Sequence, residues 1–206
     1  MSLERYLENL KEETQKHNVR LFLKNTRYLL VDGGPAKGYF SEDPPELAIA
    51  RNNPKRIWLP LLVHEHSHMN QWIEQAPAYT NTWIDGKIDA LEIVFSWLKG
   101  KEYPLDLVEM AVELNRELEL DCERRALKKI RKYNLPIDLQ YYTQASGANI
   151  HQYNYMLLRR IYPGKPGIMP YEDKEILSKM PRTLRGNFRR LTKPQIEAFD
   201  NFVQPH

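Results

Sequence analysis

The chain has 206 residues, enough for one sizeable core, or a core with an appended subdomain. Its composition, 42% apolar and 28% charged, is that of an ordinary folded domain, and a net charge of +3 is too small to imply a nucleic-acid partner by itself. No apolar run has the length of a membrane span, the start Met1–Glu8 is too charged for a signal peptide, and the single Cys122 cannot form an internal disulfide; a cytoplasmic protein with no membrane partner is expected.

In chain order, Leu3, Tyr6, Leu7 and Leu10 mark one face of an amphipathic helix to about His17. Val19–Leu23 and Tyr28–Val31 favour strands, and Lys24–Arg27 between them predicts a hairpin. A sharp break at Asp32-Gly33-Gly34-Pro35 precedes a short strand at Gly38–Phe40, and Glu46–Arg51 reads as one more strand, expected at the sheet's edge. The next helix carries Leu61, Leu62, Val63, Trp72 and Ile73, with Pro60 expected at its first position, where a missing N–H costs nothing. Ile88–Lys99 predicts a helix stopped by Gly100, and Pro104 opens a long one to about Tyr133. A helix from about Leu135 to Tyr162 ends at the break Pro163–Gly167, and two short helices follow, near Asp173–Met180 and Pro194–Val203. The expected fold is α+β: a small, mostly antiparallel N-terminal sheet packed on the helix after Pro60, then a predominantly helical C-terminal half. Residues 1–133 are read as the core and 134–206 as a helical extension with a basic C-terminal segment, expected to pack on it.

Chemistry concentrates in His64-Glu65-His66-Ser67-His68. Residues four apart on a helix lie one above the other, so His64 and His68 can offer two imidazole nitrogens to one ion, while Glu65, offset by one residue, can reach a water on that ion. A lone histidine on an apolar face is ordinarily a hydrogen-bonded core residue; a pair at this interval with a glutamate between is a zinc-site pattern. His66 points the other way, toward solvent or a structural hydrogen bond.

Zinc held by two such histidines needs a third protein ligand. The long helix offers several carboxylates. Val108, Val112, Glu119, Cys122, Ala126, Ile130 and Tyr133 fall along one stripe, so Glu119 sits among apolar residues and calls for a compensating cation. Its alternative is a rim ion pair with Arg116, Arg124 or Arg125. Glu117, partnered by Asp121, is the second choice of ligand. Cys122 is a possible ligand but reads better as a small core residue. Glu123, one turn beyond Glu119, can accept a hydrogen bond from the outer nitrogen of a ligand histidine.

These residues, His64-Glu65-x-x-His68 after a strand like Leu47–Ala50, and Glu119-x-x-Cys122-Glu123-x-x-Ala126, resemble the motifs of gluzincin metallopeptidases, closest in plan to minimal gluzincins such as the ImmA/IrrE-like group. The resemblance covers roughly residues 19 to 130. It implies His64, His68 and Glu119 as zinc ligands, Glu65 as general base and Glu123 behind a ligand. Cys122 and Glu123 depart from the Ala and Asp or Asn common there. The activity it implies is hydrolysis of a peptide bond in a peptide or protein substrate, with Zn2+ as cofactor and Glu65 moving the proton from the attacking water to the leaving amine.

For an oxyanion-stabilising donor, His151, Tyr153 and Tyr155 are candidates, though aromatics at helical spacing are ordinarily core. The rival reading is a non-catalytic metal-stabilised module that binds nucleic acid or protein through its C-terminal segment. From Leu157 to His206 there are 10 Lys and Arg against 5 Asp and Glu, and Phe188 lies among Arg182, Arg185, Arg189 and Arg190, where it could stack on a base. A solvated charged face is the plain alternative.

Overall fold

A computed structural model describes residues 2–31, 34–164 and 168–203. Residues 32–33 of the first expected break and 165–167 of the second lie outside these. The elements run α1 (Leu3–Lys16), β1 (Arg20–Lys24), β2 (Leu29–Val31), β3 (Gly34–Ala36), β4 (Gly38–Glu42), β5 (Pro45–Ala50), α2 (Lys55–Ile73), α3 (Pro77–Thr80), β6 (Trp83–Ile84), β7 (Ile88–Asp89), α4 (Ala90–Leu98), α5 (Leu105–Tyr133), α6 (Leu139–Arg159), α7 (Lys174–Lys179) and α8 (Lys193–Val203), with a 3-10 turn at Pro170–Glu172 before α7. The α+β expectation holds: small, mostly antiparallel sheets near the N-terminus, helices after them. Among the described residues no helix is long and apolar enough to cross a membrane.

Two compact units divide the chain, and both are discontinuous in sequence, unlike the single expected division after residue 133. One comprises Met1–Ala76 and Cys122–Asp138, the other Pro77–Asp121 and Leu139–His206. The helix α5 runs unbroken through both ranges, and its part from Cys122 to Tyr133 belongs to the first unit.

In the first unit a three-stranded sheet has the order β1-β5-β4. β5 pairs in parallel with β1, Leu21 opposite Leu47, and antiparallel with β4, Phe40 opposite Leu47. This corrects two expectations. β1 and β2 do not form a hairpin, because β1 takes β5 as its partner and β2 pairs with β3. Nor is β5 an edge strand: Leu47, Ala48, Ile49 and Ala50 are buried, as expected of a strand covered on both sides. The edges are β1 and β4.

Both β4 and β5 lie against α2. Gly38 lets β4 come close, since a Cβ there would stand 2.6 Å from Ile49 Cδ1 and 2.9 Å from Leu61 Cδ2. The helix begins earlier than expected. Pro54 is its cap, and Pro60 is inside it, where the ring removes one backbone hydrogen bond. Burial of Trp58 and Leu59 in the turns before Pro60 offsets that loss. On the α5 side of the unit, Cys122, Ala126, Ile130 and Tyr133 are buried along the expected stripe, and Asn134, at φ 48°, closes the helix.

The second unit has two apolar clusters. Ile93, Val94 and Trp97 of α4 pack with Val108 and Val112 of α5 and Tyr153 and Met156 of α6. Further on, Ala148 and Tyr155 of α6 pack with Ile176, Leu177, Met180, Phe199 and Phe202. A small hairpin not anticipated from sequence, β6–β7, turns through Asp85 and Gly86, both at positive φ, and leads into α4, capped by the Asp89 side chain.

Candidate metal centre

The four-residue interval on α2 brings the Nε2 atoms of His64 and His68 to 3.1 Å from one another, with ring centroids 4.6 Å apart and planes at 84°. Each outer nitrogen is held from behind. His64 Nδ1 lies 3.1 Å from Glu123 Oε1, and His68 Nδ1 lies 2.9 Å from Gln71 Oε1. An acceptor behind each Nδ1 favours the tautomer with its proton there, which turns the Nε2 lone pairs toward each other. Two such lone pairs repel unless a proton or a cation lies between them.

Of the two imidazoles, His64 is the more basic. Burial works against its charge, but Cys122 and Glu123 act more strongly together and hold its pKa well above the ordinary value. His68 is driven down to about 3, by burial first and then by the charge on His64. The same geometry fits a tetrahedral ion. Two nitrogens at about 2.0–2.1 Å from zinc stand about 3.3 Å apart, close to the spacing seen.

Glu65 is buried on the neighbouring face, and its pKa is raised by burial, an effect moderated by the charge of His64 and by a hydrogen bond from the backbone N–H of Phe40 on β4. A carboxylate whose proton affinity is lifted in this way suits a general base.

Cys122 belongs to the same cluster, since ligand atoms of His64, His68 and Cys122 all lie within 4.8 Å of one another. It is fully buried, its Sγ is 3.6 Å from His64 Nδ1, and its thiol donates to the His64 carbonyl at 3.4 Å. The sulfur thus stands beside the outer nitrogen of His64 and within 4.8 Å of a ring nitrogen of His68. Cys122 therefore backs His64, together with Glu123.

On α5, Glu119 is one turn before Glu123 and half-buried, whereas Glu117 is exposed. Within the second unit Glu119 accepts a hydrogen bond from Asn149 Nδ2 at 2.9 Å. The oxyanion candidates are packing residues. His151 lies against Phe188 and hydrogen-bonds Asn154, Tyr155 stacks on Phe199 and donates to Asp200, and Tyr153 is in the α4–α6 cluster. Phe188 is itself buried, so its ring is not on the surface to stack on a base.

His66, as expected, makes structural hydrogen bonds. Tyr6 Oη is 3.1 Å from its Nδ1 and Glu13 Oε2 is 2.8 Å from its Nε2, while Asn70 also donates to Glu13. Beside it the Lys129 ammonium donates to Ser67 Oγ at 2.9 Å, and burial lowers its pKa to about 8. Gln71 and the Glu13–Asn70 pair were not anticipated. Gln71 had a legible signal, three residues after His68 on the same helix; Glu13 is on α1, with nothing local to link it to His66.

No protein-family model, curated protein or solved structure matches this chain.

Proposed function

We propose that the protein is a zinc-dependent hydrolase of peptide bonds, built on the gluzincin plan, with His64, His68 and Glu119 as ligands and Glu65 as general base. The observation that carries this reading is the pair of Nε2 atoms 3.1 Å apart, each imidazole backed at Nδ1 by an acceptor. Glu119 is preferred to Glu117 because it is half-buried and shares its helix face with Glu123, while Glu117 is exposed.

When bound, zinc would supply Lewis acidity toward the scissile carbonyl and toward a water. The chain's own residues do the rest. Glu123 and Gln71 fix the two imidazoles, and Cys122 fills the space behind His64. Glu65, held by the Phe40 N–H, takes the proton of the attacking water and passes it to the leaving amine. Because β4 is an edge strand, an extended peptide can add to it by backbone pairing, which sets a substrate beside the strand that touches Glu65.

The test is metal content by native mass spectrometry for the wild type, His68→Ala and Glu119→Ala, followed by peptide cleavage with Glu65→Gln. About one zinc per chain, lost in both ligand variants, with cleavage abolished in a metal-loaded Glu65→Gln protein, is the expected result. A wild type that takes up no zinc, or a Glu65→Gln protein that cleaves at the wild-type rate, overturns it.

A further inference from the structure

The second unit holds a cleft that plays no part in the metal chemistry. It measures about 650 Å³, within the range of small-molecule sites, and its walls include His151, Lys179, Asn187, Arg189, Arg190 and Thr192. Among the described residues no carboxylate lines it. The segment that forms one side carries Lys179, Arg182, Arg185, Arg189, Arg190 and Lys193 in succession with no acidic residue between them, and all six are exposed.

Few of these charges are neutralised. Glu113 serves two guanidiniums, Arg189 at 3.2 Å and Arg116 at 3.0 Å. Lys193 faces Glu197 at 3.8 Å, with both side chains exposed, a pairing of little energetic weight. Lys179, Arg182, Arg185 and Arg190 have no ion-pair partner among the described residues. Arg116 adds a further positive charge from inside: it is buried, its Nε has no hydrogen-bond partner among the described residues, and its charge acts on His151.

The segment is also anchored, although it is neither helix nor strand over 181–192. Leu184 and Phe188 are buried. Thr143 Oγ1 donates to the Arg182 carbonyl at 3.2 Å, Asn154 Nδ2 to the Phe188 carbonyl at 2.7 Å, and Gln195 Nε2 to the Lys179 carbonyl at 3.2 Å. Like charges fixed around a concave surface repel one another, and an anion bound there relieves that repulsion. Thr183 and Asn187 add hydrogen-bonding groups to the walls, and Met180 and Pro181 add apolar ones.

We propose that this cleft binds a phosphate ester of about one nucleotide in size, its phosphates held by Lys179, Arg189 and Arg190 and its organic part against Met180, Pro181 and His151. The nucleotide is either free or one member of a single strand, since the two present the same chemistry to the cleft.

The experiment titrates the full chain with ATP and, separately, with a fluorescein-labelled oligothymidylate of about ten nucleotides, starting at about 20 mM salt. Saturable binding of at least one probe is expected, unaffected by a chelator, and weakened about tenfold or more in Lys179→Gln/Arg190→Gln. Three phosphate contacts on a single strand predict a slope of log affinity against log salt of about −2. Tighter binding of ATP identifies a free nucleotide as the ligand, and tighter binding of the oligonucleotide a strand. Both substituted side chains are exposed, so the variant should melt as the wild type does; if it does not, Arg190→Gln alone is compared. No binding of either probe at low salt, or equal affinity for the wild type and the variant, overturns the proposal.

Discussion

The two polar faces of α2 carry the same residue types to opposite ends. On one, His66 has both ring nitrogens occupied by the protein, Tyr6 on one side and Glu13 on the other. On the other, His64 and His68 turn Nε2 toward each other at 3.1 Å, with Glu123 and Gln71 behind their Nδ1 atoms. The first arrangement is closed, and it fastens α1 to α2. The second sets two ring nitrogens face to face, at a spacing that a proton or an ion can bridge. A histidine's sequence neighbours do not separate these outcomes; what each ring nitrogen faces does.

The largest effect separating the two faces should be metal stoichiometry. His68→Ala should fall from about one zinc per chain to about none, whereas His66→Ala should keep its metal, as read by native mass spectrometry. Loss of zinc from both variants would mean that the faces are not functionally distinct. Next in size is Glu65→Gln. With metal content unchanged, peptide turnover should fall by about 100- to 10,000-fold, the usual range for a lost proton-transfer group.

The groups behind the imidazoles should matter less. Glu123→Ala and Gln71→Ala are each expected to lower zinc affinity by about 10- to 100-fold without removing a ligand, measured by competition with a chromogenic chelator. On the closed face the cost should be in stability alone. Glu13→Ala removes an acceptor of both His66 and Asn70 and should destabilise the protein by about 1–3 kcal/mol in urea denaturation, with zinc affinity intact.

The smallest effect concerns another histidine enclosed by protein. Burial, and then the charge of Arg116, lowers the pKa of His151 from 6.5 to about 4. Between these values the unfolded chain binds more protons than the folded one, so the contribution is complete above pH 6.5 and is lost as pH falls toward 4. Going from pH 6 to pH 5 it should cost about 1 kcal/mol, and His151→Gln should show a correspondingly shallower acid decline. Equal pH dependence in the two proteins would show that His151 already carries its proton in the fold.

What was legible in the sequence followed from local causes. α5 could be read end to end because Pro104 opens it and its apolar stripe persists to Tyr133, and α4 because Gly100, at φ 99°, ends it. The pairing of β1 was not legible, since its partner β5 comes 26 positions later in the aligned register and alternation says nothing about which strand is chosen. The β6–β7 hairpin carries an Asp85-Gly86 turn signal, but its strands of two residues have no periodicity to mark them in the sequence. At the site, the helical interval gives His64, Glu65 and His68 directly, and the position one turn beyond Glu119 gives Glu123 as the backing carboxylate. Cys122 was read as core and is core, yet its place behind His64 depends on packing that no spacing encodes. The flanking arginines suggest a surface role for Phe188 under the rival reading, but a single apolar residue in a charged loop is often its anchor, as it is here.

Gly38 has a bearing on engineering this scaffold. Its missing side chain lets β4 lie on Ile49 and Leu61, and two residues along the same strand the Phe40 N–H reaches Glu65. The strength of that hydrogen bond, and with it the proton affinity of the carboxylate, can thus be adjusted from a position that contributes no side chain to the site. A single hydrogen-to-methyl exchange, Gly38→Ala, would act on Glu65 as a spacer acts on a hinge, through distance alone.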